Sequence, residues 1–171
     1  MSTGYDFDQT AMFEQLVRMQ FPERNHFESA IIVDFLKARG REYDRYSISV
    51  RVGQGLTPDP THLPAVQLNT IRGTQKRIDM MAWQGLQAFI FEVKLRLQPY
   101  ALGQLLTYRH LWMEENPDAL EPRLAVIARI GDPDTERALE QHGVDVYLYE
   151  ETDDRGGDAE RGVSPDNPAP A

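Results

Sequence analysis

Apolar positions recur along this chain with two periods, and the period-two segments are the more informative. Over 88–95, Ala88, Phe89, Ile90, Phe91, Val93 and Leu95 are apolar on both alternating faces, the pattern of a strand covered on two sides. Residues 76–83 form a similar run, and a tight turn at Gln84-Gly85 makes the two antiparallel neighbours. Leu124–Ile130 is a further strand apolar on both faces, and Val144–Tyr149 reads as a last one. From Tyr43 to Val52 the chain alternates instead: Tyr46, Ile48, Val50 and Val52 oppose Arg45, Ser47, Ser49 and Arg51, which predicts a half-buried strand. Gly53–Pro64, with prolines 58, 60 and 64, reads as a long loop, and Ala65–Ile71 as an additional strand.

Helical spacing marks the other segments. Residues 8–20 place Met12, Leu16 and Met19 on one face, with Asp8 or Thr10 as cap and Pro22 as terminator. The best helix is 25–39, with Asn25 as N-cap, Phe27, Ile31 and Phe35 as the buried stripe, and Gly40 just past its end. Pro99 starts a helix over about 100–115, which Asn116-Pro117 breaks, and a short helix covers 134–142. The order predicts an α/β fold: an antiparallel meander and a returning strand in one mixed central sheet, flanked by helices. Residues 1–149 read as one domain, with the N-terminal helix as an accessory and the core at about 25–130. From Glu150 the chain turns acidic, Gly- and Pro-rich, and reads as a disordered tail.

Three polar groups interrupt the apolar runs. Asp79 lies between Ile78 and Met80, and Glu92 and Lys94 share one face of the next strand. A buried charge needs a partner, a metal or water. If the two strands are neighbours, Asp79 and Glu92 fall side by side with Lys94 next to them. Such a pair of hard carboxylates suits Mg2+ or Mn2+, and the lysine can orient or deprotonate a bound water. Taken alone, an E-x-K pair is more often a surface ion pair. Gln104 and Tyr108 stand four apart, on one helical face; the plainer account is a half-buried tyrosine beside a surface glutamine. Glu28 reads equally as a capping residue or as a further acid near the same site.

Charge and composition narrow the field. The 171 residues carry a net charge of −9; from Glu150 onward seven acids against two bases hold −5 of it, so residues 1–149 carry −4. An acidic body lacks the footprint of a tight non-specific DNA binder, so a nucleic-acid role requires a local basic face or a partner. The absence of cysteine excludes disulfides and thiol nucleophiles and fits a reducing compartment. No run approaches a membrane span, and Met1–Asp8 has no signal-peptide pattern, so a cytoplasmic location is expected. The four histidines show no H-x-x-x-H or H-x-H spacing, there is no G-x-S-x-G, and G-Q-G at 53–55 has no following glycine-lysine.

In joint order and spacing, Asp79, E-V-K at 92–94 and Q-L-L-T-Y at 104–108 resemble the PD-(D/E)XK nuclease superfamily. The glutamine-tyrosine helix motif is similar to that of its RecB-type and lambda-exonuclease-like branch. Ile78 stands where the signature has proline. The resemblance spans about residues 25–130 and implies a restriction-endonuclease-like core and a Mg2+- or Mn2+-dependent deoxyribonuclease. It implies that Asp79 and Glu92 hold the metal, with the Val93 carbonyl and Glu28 completing its shell. Lys94 would position or activate water, and Gln104 and Tyr108 would orient DNA or the ligands. Arg77 and Arg109 are candidates for phosphate contact, against the commoner alternative of solvated arginines. The implied partner is DNA, with a partner protein or second copy supplying binding surface, and no membrane. A second account keeps the fold without catalysis: a structural or docking component of a larger assembly, such as a phage virion or a DNA-processing complex.

Overall fold

The computed structural model describes residues 5–8 and 26–149. Six strands form one sheet: β1 (Tyr5–Asp8), β2 (Arg45–Val52), β3 (Lys76–Gln84), β4 (Gln87–Arg96), β5 (Arg123–Ile130) and β6 (Val144–Leu148). Their order in the sheet is their order in the chain. The first three pairings are antiparallel, and β4–β5 and β5–β6 are parallel. The helices are α1 (His26–Arg39), α2 (Pro64–Thr74), α3 (Tyr100–Glu115) and α4 (Pro133–Gln141). The two parallel pairings follow helical crossovers through α3 and α4, as such connections require. A helix, a three-strand meander, a helix and a returning strand make the mixed α/β architecture flanked by helices that the sequence predicts.

The sheet divides the core in two. On one side Ile31, Ile32, Phe35 and Leu36 of α1 pack on Ile48, Met80, Phe91 and Ile127. Phe35 is fully buried, with its ring centroid 5.1 Å from that of Phe91; burial of one such side chain contributes about 1.5–3 kcal/mol. On the other side Ala101, Leu105, Tyr108 and Trp112 of α3 cover Val50, Ile78, Ile90 and Val126, with Leu139 of α4. Arg129 of β5 pairs with Asp34 of α1 at 2.6 Å and ties the first layer down.

Several local expectations are corrected. Ala65–Ile71 belongs to helix α2, which starts on Pro64, a residue pre-set for a first helical turn. Val66 and Leu68 mimic strand alternation only because the helix buries none of its residues. Ser47 and Ser49 are buried, since β2 is an interior strand with a layer on each face. Phe27 is 63% exposed because the core under α1 begins one turn later, at Ile31. The α-helix ends at Arg39 as expected, but Gly40 does not take the left-handed conformation of a C′ glycine: it begins a 3-10 turn over Gly40–Glu42, and its carbonyl accepts a hydrogen bond from the Tyr46 hydroxyl. The β3–β4 turn sits one residue later than expected, at Gly85-Leu86 between the paired Gln84 and Gln87. Gly85 takes φ 58 there, which glycine adopts without steric cost. Asp8, expected to cap a helix, closes strand β1; the rest of that helix, Asn25 and the tail from Glu150 lie outside the described residues. Among the described residues no helix is long and apolar enough to cross a membrane.

Candidate active site

Asp79 sits where both ladders of β3 are interrupted. Against β2 the register steps from Ile48–Met80 to Val50–Ile78 and leaves out Ser49 and Asp79. At that step the two strands change faces together: Ile48 and Met80 lie under α1, whereas Val50 and Ile78 lie under α3. Ser49 accommodates the switch in the left-handed region at φ 59, uncommon for a residue with a side chain. Against β4 the ladder ends at Met80–Phe91, one step short of Asp79 and Glu92. The Val93 peptide N–H, which a longer ladder would have used, donates instead to Asp79 Oδ2 at 2.8 Å. The carboxylate therefore stands in for a strand at the point where β3 and β4 part.

Glu92 is 1% exposed and Asp79 9%. Beyond the fork β4 remains paired with β5, so Glu92 and Lys94 keep their places opposite Val126 and Ala128. Lys94 Nζ donates to Glu92 Oε1 and lies 5.0 Å from the centroid of the Tyr100 ring. Burial by itself lowers the pKa of Lys94, but the hydrogen bond and charge of Glu92, with the charges of Asp79 and Tyr100, outweigh it and raise the value. Lys94 is thus held as an ammonium between two carboxylates.

Helix α3 supplies the opposite wall. Its four-residue spacing stacks Gln104 over Tyr108, and Gln104 Nε2 donates to the Tyr108 hydroxyl at 3.1 Å. Gln104 Oε1 is buried and accepts no hydrogen bond among the described residues. Burial raises the pKa of Tyr108 most, the negative charge of Glu92 adds to it, and the Gln104 contact offsets only part. Tyr108 therefore remains a neutral hydroxyl.

These side chains meet around one polar cavity of about 480 Å³, lined by Asp79, Glu92, Lys94, Gln104 and Tyr108, and by Glu28 from the first turn of α1. Val93 is not among the lining residues: its N–H donates to Asp79, and its side chain is buried on the α1 side. Arg77 also lines the cavity, but Arg109 does not: it pairs with Glu121 at 2.7 Å. Two cations that the sequence did not single out, Arg51 and Lys76, complete the rim. Arg51 faces Arg77 in the β2–β3 register, and Lys76 faces Val52, so only the pairing of the strands reveals the group. Loop 53–63 and α2 hold this side in place. Gln75 Nε2 donates to the Gly53 carbonyl at 2.6 Å, and Leu56 N–H to Thr74 Oγ1 at 2.7 Å. A Cβ on Gly55, which has φ 70, would come within 2.5 Å of the Ile71 carbonyl oxygen.

The donor set fits a hard divalent cation of the Mg2+ type. No group of three His, Cys, Asp or Glu side chains close enough to hold an ion occurs among the described residues. Two carboxylates at the wall of a polar cavity with room for several waters are nevertheless sufficient, because Mg2+ commonly keeps several waters and takes one or two carboxylates plus substrate phosphate.

Fold and cavity together define a mixed-sheet α/β domain with an acid–acid–lysine cluster at a forked sheet. No family model matches the chain, and no curated protein does. Among solved structures it is similar to a repair endonuclease from Pyrococcus abyssi, with 17% identity and a TM-score of 0.44 over 77% of this chain and 50% of that one. It is also similar to the EndoMS–dsDNA2 complex, with 15% identity and a TM-score of 0.42 over 77% of this chain and 48% of that one. The chain spans about half the length of each structure it matches.

Proposed function

We propose that the protein is a metal-dependent nuclease that hydrolyses DNA phosphodiester bonds in this cavity. The observation that carries the reading is the convergence of Asp79, Glu92 and Lys94 at the β3–β4 fork, inside a cavity whose charge runs against that of the chain. Four cationic side chains (Arg51, Lys76, Arg77, Lys94) face three acidic ones (Glu28, Asp79, Glu92), in a chain of net charge −9. A locally basic cleft on an acidic body attracts a polyanion to that place and not elsewhere.

A bound Mg2+ or Mn2+ supplies Lewis acidity and lowers the pKa of a coordinated water. Asp79 and Glu92 would hold it, with Glu28 and the Val93 carbonyl as further oxygen donors. Arg51, Lys76 and Arg77 bind the phosphates flanking the scissile bond. Lys94, kept as an ammonium, favours holding the attacking water and offsetting phosphate charge over taking a proton. Tyr108, kept neutral, donates a hydrogen bond toward Glu92 or the phosphate, and Gln104 fixes its orientation. The domain on this reading spans residues 1–149.

A second reading, a non-catalytic nuclease-fold component of a larger assembly, draws on one observation. Lys94 is ion-paired with Glu92 through Oε1, as expected where a lysine takes up carboxylate charge without metal. Incubation of the protein with labelled duplex and single-stranded DNA and Mg2+ or Mn2+ separates the two. The nuclease reading expects cleavage that Asp79→Ala and Lys94→Ala abolish while both variants stay folded. Cleavage unaffected by both substitutions, or none by wild type with either metal, rejects it.

A further inference from the structure

A second cavity, of about 410 Å³, opens on the α3 side of the β2–β3 pair. This falls in the roughly 300–1,000 Å³ range of small-molecule sites. Its walls include Arg45, Trp83, Trp112 and Asn116, and it shares Arg51 with the cavity of the acid–acid–lysine cluster. Arg45 and Trp83 are register partners, and the guanidinium carbon lies 4.0 Å from the indole ring centroid. The indole is packed against the core, and the guanidinium that lies over it belongs to an exposed residue. Glu115, the carboxylate of this wall, is engaged by the Gly53 N–H at 2.6 Å.

We infer that this cavity takes an unpaired nucleobase of the strand whose phosphate lies on Arg51. An exposed arginine lying over a tryptophan ring offers a flat base both a guanidinium and an aromatic surface, and bases stack on such groups with little regard to sequence. Arg51, common to both walls, places a phosphate between the base and the fork. The cavity would therefore select substrate with a single-stranded or extruded nucleotide beside the scissile position. This rests on the nuclease reading for its substrate class, but not on hydrolysis.

The chain has two tryptophans, Trp83 and Trp112, and both line this cavity, so fluorescence excited on the red edge of tryptophan absorption, where tyrosine does not absorb, reports on it. The experiment titrates the full chain, in EDTA, with an eight-nucleotide oligothymidylate and with an abasic strand of equal length. Fluorescence quenching is followed together with the anisotropy of an end-labelled strand. The inference expects the thymidylate to quench and to bind about tenfold or more tighter than the abasic strand. Arg45→Ala, a surface change, should erase most of that difference. Equal affinity for the two strands, binding without a tryptophan response, or no binding of either overturns it. Base-dependent quenching in a protein that cuts nothing would remove the nuclease reading and leave this site standing; cleavage without base-dependent quenching would do the reverse.

Discussion

The carboxylate of Asp79 accepts the peptide N–H of Val93 at 2.8 Å, across the gap where β3 and β4 separate. One residue thus closes the sheet at its fork and faces the cavity beside Glu92. Structural and chemical roles can be pulled apart by substitution. Asp79→Ala leaves a buried N–H without its acceptor and should cost about 1–3 kcal/mol. Asp79→Asn keeps an acceptor oxygen and should cost less, yet lose DNA cleavage as completely as the alanine variant. Urea denaturation of both variants, read beside their cleavage rates, checks this.

The Lys94–Glu92 pair is nearly out of solvent, with side chains 14% and 2% exposed. Removing Lys94 takes the ion-pair partner away from a buried carboxylate. Lys94→Met should therefore destabilise the domain by about 3 kcal/mol, and Glu92→Gln/Lys94→Met should regain most of the loss. A double-mutant cycle on unfolding free energy measures it; additive losses would mean that the two groups do not interact.

Tyrosine burial sets the alkaline limit of the fold. Burial is the largest cause raising the pKa values of Tyr43, Tyr46 and Tyr108. The unfolded chain releases these protons near pH 10, and the folded chain holds them to higher pH. In that interval the folded state binds more protons, so stability falls as pH rises; below about pH 10 the contribution is fully present. Unfolding midpoints should be flat from pH 7 to 9 and drop steeply above 10. Tyr46→Phe should lose about 1 kcal/mol at pH 7, for its bond to the Gly40 carbonyl, and show a shallower alkaline slope.

Ser49 at φ 59 marks the face switch opposite Asp79. Left-handed backbone costs a residue with a side chain about 1–2 kcal/mol, and more when it is β-branched. Ser49→Gly should raise the thermal midpoint, and Ser49→Val should lower it and reduce cleavage by disturbing the fork. A higher midpoint for the valine variant would mean that the switch is not set by this residue.

Much of this was legible from local pattern. Strands β3, β4 and β5 and helix α3 fall within a residue or two of their expected limits, because apolar runs covered on both faces and a proline-led helix are strong signals. The same runs made Asp79, Glu92 and Lys94 conspicuous, since each is a charge where the pattern demands an apolar side chain. Helix α2 misled because it stands off the core and keeps no buried stripe. Strand β1 is four residues long and carries too little pattern to read. Arg51 and Lys76 escaped because their place at the cavity arises from cross-strand register, which linear spacing does not contain. Arg109 shows the converse: close in sequence to Tyr108, it turns to Glu121 at the far side of the helix.

The central claim is that Asp79 and Glu92 together hold a divalent cation. Mn2+ titration of the wild-type chain, followed by the loss of the free-ion electron paramagnetic resonance signal, tests it most directly. Saturable binding is predicted, abolished by Asp79→Asn and by Glu92→Gln and retained by Tyr108→Phe. Wild-type protein that leaves the Mn2+ signal unchanged, or binding that survives both carboxylate substitutions, would contradict it.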